Sequence, residues 1–172
     1  MSGHSRSKDS VLPTMTDLAS TIAMFAHSNG DHATAIPALS LHRRKEPTEP
    51  LHCIYSLGLG VVAQGHKQVL LGDQVINYGP GQSMLTTIDL PVISHVTRAS
   101  LHEPFLGLML MLDSRQIVQM AADMQLPHSA KQVAYQAISI ETLDEVLLDA
   151  LVRLVKLLSE PDLLARLAPL IQ

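Results

Sequence analysis

The stretch from Gln64 to Pro91 constrains the fold of this chain more than any other part of the sequence. Apolar runs alternate there with turn residues, and the pattern predicts three consecutive β-strands joined by two tight turns. Gly72-Asp73 lies between two apolar runs, as the centre of a two-residue hairpin should. Gly79-Pro80-Gly81 places a residue of fixed φ between two that can take a positive φ. Such turns form the corners of a small antiparallel barrel, so the stretch predicts a binding scaffold rather than an active site.

Strand patterns continue on both sides of this stretch. Leu51 to Ala63 alternates as one long strand would, and Gly58 and Gly60 leave one of its faces bare for a close neighbour. Phe105 to Leu112 alternates leucines with small or flexible residues and closes the series of strands. The N-terminal side begins with a short helix predicted at Thr16 to Phe25.

After residue 113 the apolar residues recur at helical spacing. Ser114 to Gln125 is predicted as a helix capped by Asp113 or Ser114, and its buried side would carry Ile117, Met120, Ala121 and Met124. A capping-box pattern from Thr142 to Glu145 opens a second helix that runs to about Leu158, and Leu163 to Ile171 forms a third. Residues 126–138 are either a linker or an additional strand. Strands followed by helices predict an α+β fold, an antiparallel β-barrel or jelly roll with C-terminal helices.

Composition and charge argue against nucleic acid as a partner. The chain has 12 Lys and Arg against 16 Asp and Glu, a net charge of −4, which suits the phosphates of nucleic acid poorly. The basic cluster His42-Arg43-Arg44-Lys45 is short, and Glu46-Pro47 follows it, which is typical of a solvated loop. By itself the chain is not expected to bind DNA.

The compartment follows from cysteine use and hydropathy. The single cysteine, Cys53, cannot form an internal disulfide and suits a reducing environment. The first 13 residues lack the apolar core of a signal peptide. The densest apolar run, around Leu147–Leu158, is too short and too charged to cross a bilayer. We therefore expect a soluble, cytoplasmic protein without a membrane segment.

Nine histidines invite a search for a metal site, but their spacing does not provide one. Metal-binding barrels of the cupin type use a His-x-His pair and a further histidine after a Pro-Gly turn. This sequence has no His-x-His, and its Pro80-Gly81 turn leads to Gln82, Ser83 and Met84. Motifs for nucleophilic catalysis and for dinucleotide or phosphate binding do not occur either. We expect no metal, no cofactor and no catalytic residue.

Cys53 is the one nucleophile that needs separate consideration. His52 precedes it, but neighbouring residues of a strand point to opposite faces, so His52 is poorly placed to deprotonate the thiol. A structural thiol is the favoured interpretation. A redox-sensing or electrophile-sensing role is left open.

A ligand inside the barrel would need an adaptable apolar lining and a few polar groups to orient it. The candidate ligand-binding residues are Tyr55, Gln64, Lys67, Met84, His95, Met109 and Met111. A solid barrel would use the same residues in its core, so the pattern leaves both outcomes open.

The predicted helix from Thr142 to Leu158 is apolar over most of its circumference. Its main stripe consists of Leu143, Leu147, Leu151, Leu154 and Leu158. A helix of this kind must bury more than one side, either against the barrel or against another subunit. Homodimerisation through this helix is the sharper hypothesis.

Four motifs point to a family: Tyr55…Gln64-Gly65-x-Lys67, Val69-Leu70-Leu71-Gly72-Asp73, Tyr78-Gly79-Pro80-Gly81-Gln82 and Asp89-Leu90-Pro91-Val92. Together they resemble the N-terminal domain of AraC-type transcriptional regulators. The resemblance implies a cupin-like barrel that senses a small molecule and often dimerises through C-terminal helices. It also implies a module with two helix-turn-helix motifs that would follow Gln172 and is absent from this chain. It supplies no fixed ligand-binding residues.

These observations predict the ligand-sensing and dimerisation domain of a bacterial AraC-type regulator, without enzymatic activity. We expect a flexible segment at residues 1–13, a cupin-like sensor barrel at 14–113 and a helical dimerisation and linker region at 114–172. The expected partners are a small-molecule effector and a second copy of the chain, with DNA contacted only through the missing module. The alternatives are a metal-dependent cupin-type enzyme and a purely structural dimerisation domain.

Overall fold

A computed structural model of the chain describes residues 13–124 and 136–171. Nearly all of the segment predicted to be flexible, 1–13, lies outside the described residues. The helices are α1 (Met15–Phe25), α2 (Ser114–Asp123), α3 (Glu145–Lys156) and α4 (Pro161–Ile171), with a 3-10 turn at Leu157–Ser159. The strands are β1 (Gly30–Ala33), β2 (Leu39–Arg44), β3 (Leu51–Tyr55), β4 (Gly58–Gln64), β5 (His66–Leu71), β6 (Gln74–Tyr78), β7 (Gln82–Thr86), β8 (Leu90–Arg98), β9 (Phe105–Met111) and β10 (Ile138–Thr142).

Strands β2 to β9 are paired as one long hairpin that is folded over on itself. β2 pairs with β9, β3 with β8, β4 with β7 and β5 with β6, all antiparallel. Further pairing of β4 with β9 and of β5 with β8 gathers these strands into two sheets. This reverse-order pairing is the topology of a jelly roll. β1 and β10 extend one sheet to six strands, β1-β2-β9-β4-β7-β10, while the other is β3-β8-β5-β6. The predicted α+β fold is confirmed.

The predicted turns of the Gln64–Pro91 stretch are confirmed. Leu71 pairs with Gln74, so Gly72-Asp73 forms a two-residue hairpin turn, and Gly72 has a φ of 58°. At the next corner Gly81 has a φ of 84°. Gly79 is needed there for space instead, because a Cβ on it would lie 2.7 Å from the ring of His66.

The prediction of one strand from Leu51 to Ala63 is wrong. The chain leaves the four-stranded sheet after Tyr55 and enters the six-stranded sheet at Gly58, so β3 and β4 belong to different layers. The alternation of apolar residues did not reveal this passage from one sheet to the other. The link between β3 and β4 is two residues long, so apolar residues continue at every second position across it. The expected close approach to the bare face is confirmed: a Cβ on Gly60 would lie 3.4 Å from the Tyr78 hydroxyl and 3.5 Å from Met109 Cε.

The six-stranded sheet is buried on both faces. Its outer face carries residues such as Leu41, Val61 and Leu108, which pack against α1 and α3 in one apolar cluster. Its inner face and the four-stranded sheet enclose a second cluster that includes Val62, Val69, Met84 and Phe105. Each strand therefore sends alternate residues into two different cores.

The starts of α1 and α3 differ from the sequence predictions because other polar side chains cap these helices. Thr14, not Thr16, caps α1, and it exchanges hydrogen bonds with Asp17 in a capping box. Asp144 caps α3 by accepting from Leu147 N at 2.8 Å. Thr142, expected to cap that helix, is instead the last residue of β10, which pairs with β7. The region after residue 113 is thus joined to the six-stranded sheet by a strand.

Helix α2 does not bury the face predicted for it. Asp113 caps it as expected, but none of its residues is buried, and Ile117 and Met120 are 43% and 58% exposed. Along the described ranges, no helix combines the length and the apolar character needed to cross a membrane.

We expect Gly65→Ala to destabilise the fold more than Gly72→Ala. Both glycines have a positive φ, which costs an alanine about 1–2 kcal/mol. A Cβ on Gly65 would in addition lie 2.5 Å from the Arg98 carbonyl oxygen, whereas a Cβ on Gly72 would meet nothing within 4 Å. Overpacking of this kind adds about 1–3 kcal/mol. Urea denaturation measures both variants, and equal losses of unfolding free energy would contradict this account of the β4–β5 turn.

Candidate functional site

The two sheets enclose a cavity of about 270 Å³, and its lining reaches the surface at the exposed residues Asp31 and Leu51, which mark its mouth. Ligand pockets of proteins begin at about 300 Å³, so the space suits a small metabolite. Gly60 and Gly107 form part of its wall and leave it free of side chains from β4 and β9 at those positions. Val62, Phe105 and Met109 give the wall apolar surface.

Two tyrosines bring hydroxyl groups into this apolar interior. Tyr55, at the end of β3, is 8% exposed, and its buried hydroxyl has no hydrogen-bond partner in the described part of the chain. Tyr78, at the end of β6, is 3% exposed, and its hydroxyl faces the space that a Cβ on Gly60 would take. Burial, and then the neighbouring Tyr55, raise the pKa of Tyr78 well above its usual value near 10, so Tyr78 stays a neutral O–H group.

Lys67 supplies a positive charge at the same place. It lies on β5, with its Nζ 5.4 Å from the centroid of the Tyr55 ring, the geometry of a cation–π contact. The described residues hold no carboxylate within ion-pair distance of this ammonium group. The cavity therefore contains a cation whose only identified electrostatic partner is an aromatic face.

A chain of hydrogen bonds lies at the cavity mouth. Asp31 Oδ1 accepts from His42 Nδ1 at 2.6 Å and from Arg44 Nη2 at 2.7 Å. Because a carboxylate can only accept, His42 carries its proton on Nδ1. With His42 neutral, Ser40 Oγ then donates to His42 Nε2 at 3.1 Å. The His42 hydrogen bond, and then Arg44, hold the pKa of Asp31 well below its usual range.

Ser40, His42 and Asp31 have the connectivity of a nucleophile, a base and an orienting carboxylate. They lack the rest of such a site. Arg44 shares the carboxylate oxygen that would orient the base. β2 lies between β1 and β9, so its backbone N–H groups serve the two ladders and do not form an oxyanion pocket. The chain of hydrogen bonds ties the edge strand β1 to the cavity mouth.

Among the predicted ligand-binding residues, Tyr55, Lys67, His95 and Met109 line this one cavity. Their role as ligand contacts stays a prediction. Met84 is fully buried in the inner core rather than at the cavity wall.

Two of the predicted residues lie elsewhere. Gln64 borders a different surface depression and donates from its side-chain amide to the Pro104 carbonyl at 2.8 Å. Met111 was expected to point into the barrel, but it is the last residue of β9, is 44% exposed and does not line the cavity.

The sequence reasoning missed the mouth residues and Tyr78. The interpretation of His42-Arg43-Arg44-Lys45 as a solvated loop is wrong, because β2 extends to Arg44. Alternation with the buried Leu39 and Leu41 was a signal that Ser40, His42 and Arg44 share the opposite face. Cys53 is half-buried, lines the cavity and packs against the inner core, whereas His52 is exposed.

The predicted dimerisation stripe is largely used within the chain. Leu143 and Leu151 are buried in the outer core, at 9% and 2% exposure. Leu147, Leu154 and Leu158 are half-buried and pack against the same core. The stripe therefore covers the six-stranded sheet and α1, and it does not form a free surface.

The described ranges contain no group of three or more His, Cys, Asp or Glu residues placed to hold a metal ion. His66 packs on Gly79, and His95 lies on β8.

Comparison with protein families gives a match over most of the chain. The family described as "AraC-type transcriptional regulator N-terminus" matches residues 35–172. The chain belongs to this family. The resemblance carried by the four sequence motifs is confirmed.

Solved structures give weaker similarity. An apo variant of ToxT from Vibrio cholerae is 7% identical with a TM-score of 0.48, and the match covers 77% of this chain and 54% of that one. Vicilin from tomato, Solanum lycopersicum, is 13% identical with a TM-score of 0.30, over 67% of this chain and 40% of that one. The chain thus spans about half the length of the ToxT chain, 54%. No curated protein sequence matches this chain.

We expect the Asp31 contribution to stability to be pH-dependent. The folded-state pKa is lowered, so the contribution is complete above the unfolded value of about 3.9 and is lost as the pH falls below it. Because the Asp31 side chain is 62% exposed, solvent screening limits the effect to about 1 kcal/mol at most. Urea titrations should show Asp31→Asn less stable than the parent at about pH 7, with the difference shrinking towards about pH 3.

Asp89→Asn is the control, because Asp89 is exposed and makes no ion pair among the described residues. A constant difference between Asp31→Asn and the parent at all pH values would contradict the role assigned to the carboxylate.

Proposed function

We propose that this chain is the ligand-sensing and dimerisation domain of a bacterial, cytoplasmic AraC-type transcriptional regulator, without enzymatic activity. The single observation that carries the sensing role is the inter-sheet cavity, in which the Tyr55 hydroxyl is buried without a partner in the described part of the chain. A buried polar group without a partner costs about 1–3 kcal/mol, and a bound ligand would relieve that cost. A purely structural domain would be more stable without this unpaired hydroxyl group.

A physical route connects the cavity to the C-terminal region. Met84 of β7 touches the same space as the Tyr78 hydroxyl, since both lie within 3.5 Å of a Cβ built on Gly60. Met84 pairs with Ile140 of β10, and Leu143 N donates to the Gly81 carbonyl at 2.9 Å just before α3 begins. An effector that shifts the packing around Gly60 would bias β10 and α3. The change in population would alter how DNA-binding modules beyond this chain are presented to two half-sites.

Dimerisation is proposed through the helical region, with the contact residues revised. The leucine stripe of α3 is used within the chain, whereas α2 exposes Ile117, Val118, Met120 and Met124. These residues recur at helical spacing on one side of α2, an apolar face that a soluble domain covers with a partner. A second copy of the chain is the occupant proposed, because regulators that read two half-sites are symmetric pairs.

We expect Gly60→Leu to abolish ligand binding while the domain stays folded. A leucine there would project towards Tyr78 and Met109, whose movable side-chain ends are 3.4–3.5 Å from the Cβ position. A thermal-shift screen of small metabolites against the parent should find stabilising compounds, and the variant should lose that response. Thr97→Leu, at an exposed position of β8, adds the same side chain outside the cavity and should keep it. The sensing role fails if no compound stabilises the parent or changes operator binding by the whole regulator.

We expect Ile117→Glu combined with Met120→Glu to convert a dimer into a monomer. Two carboxylates in the apolar face of α2 would be desolvated without partners on association. Sedimentation velocity at micromolar concentration measures the mass. Val75→Glu places a charge at another exposed apolar residue, 56% exposed on β6, and should leave the dimer intact. A monomeric parent, or a double variant that still pairs, would refute the assignment to α2.

A further inference from the structure

The side chains around the cavity include one lysine, several hydroxyl groups and a buried histidine nitrogen, His95 Nδ1, that has no partner among the described residues. Lys67, Tyr55 and Tyr78 reach its interior, and Ser94 and Thr48 lie at its wall. The described lining contains no Asn, Gln or Glu, and its one carboxylate, Asp31, already accepts from His42 and Arg44. The hydroxyl groups can donate or accept, whereas the Lys67 ammonium group can only donate, so a ligand placed beside Lys67 must offer it an acceptor.

The charge balance favours a negative ligand. The fixed charges of the described lining are Lys67, Arg44 and Asp31, and Arg44 and Asp31 form an ion pair at the mouth. Lys67 is left with the face of Tyr55 as its partner. Hydrogen bonds from an ammonium group to an anion are about twice as strong as those between neutral groups, and an enclosed site weakens them less than water does.

From this arrangement we propose that the cavity binds a small carboxylic acid as its anion. The carboxylate is held by Lys67 and by the hydroxyls of Tyr55 and Tyr78, and the apolar body of the acid lies against Val62, Phe105 and Met109. The burial that keeps Tyr78 protonated also keeps it a donor to such an anion. This inference rests on the proposed sensing function and names the ligand class for the same site.

A carboxylate fits better than the other common acceptor-rich groups. A neutral sugar would leave the Lys67 ammonium group in the cavity without an anionic partner. A phosphate needs several cations or a row of free backbone N–H groups, but the described interior offers one unpaired cation and β-strands whose N–H groups are used in ladders. The cavity volume of about 270 Å³ and its apolar walls suit an acid with a short aliphatic or aromatic body.

The test uses acids paired with their neutral isosteres. The probes are propanoate to octanoate, benzoate, phenylacetate and 3-phenylpropanoate, each compared with its primary amide by thermal shift and titration calorimetry at fixed ionic strength. At least one acid should stabilise the chain, and its amide should bind at least about tenfold more weakly, the effect of losing a charge-assisted bond.

Variants then locate the anion. Lys67→Met should weaken binding of the acid by about 10–100-fold, whereas Lys67→Arg should retain most of the affinity. Tyr55→Phe and Tyr78→Phe should each weaken binding by about 3–30-fold. Lys156→Met, at an exposed position of α3, removes the same charge elsewhere and should have no effect. Circular dichroism verifies that each variant is folded.

The outcomes separate this inference from the sensing role. Amides that bind as tightly as the acids, or a Lys67→Met variant that binds the acid unchanged, overturn the proposal, and so does the absence of binding by every acid. If neutral metabolites bind and Gly60→Leu abolishes that binding, the cavity is a sensor site for another class of ligand. If neither acids nor neutral metabolites bind, both proposals fail.

Discussion

The burial of the six-stranded sheet on both faces is the constraint on which the rest of the structure depends. Leu108 of β9 and Val61 of β4 face outward under α1 and α3, in the outer core. Because side chains alternate along a strand, the neighbouring positions Gly60 and Gly107 must face inward. Glycine at these two inward positions of β4 and β9 leaves part of the space between the sheets without side chains. The helices and the cavity are two consequences of one alternating pattern.

The space between the two sheets has an apolar part and a part that contains polar groups, a difference that hydrophobic packing alone does not require. Apolar residues such as Val69 and Met84 are fully buried in one part of the space between the sheets. Around Tyr55, Tyr78 and Lys67, polar groups face a cavity instead, and the Tyr55 hydroxyl has no partner within the described residues. Buried polar groups without a partner are uncommon in folded proteins, and each needs a local explanation. The cavity and its polar groups support the proposed binding role.

Helix α3 shows where a one-dimensional pattern misleads. The sequence indicated correctly that a helix so apolar must bury more than one side, and Leu151 and Val155 do lie in the outer core. It could not indicate which neighbour covers which side, because a stripe that packs on a sheet and one that packs on another subunit have the same spacing. Helix α2 shows the converse error, since its apolar face at Ile117 and Met120 is exposed. Periodicity reports a potential contact surface and does not identify the partner.

The class of fold, the turns of the Gln64–Pro91 stretch and the family could all be predicted from the sequence, because they depend on local chemistry: glycine at a positive φ, alternation along strands and motifs in contiguous segments. Only the tertiary structure decided that β3 and β4 lie in different sheets and that Tyr78 and Lys67 meet Tyr55 in one cavity. It also decided that Asp31 joins His42 and Arg44 at the mouth. These residues are brought together by pairing between distant strands, and the register of that pairing is set by packing of the whole jelly roll rather than by any single segment.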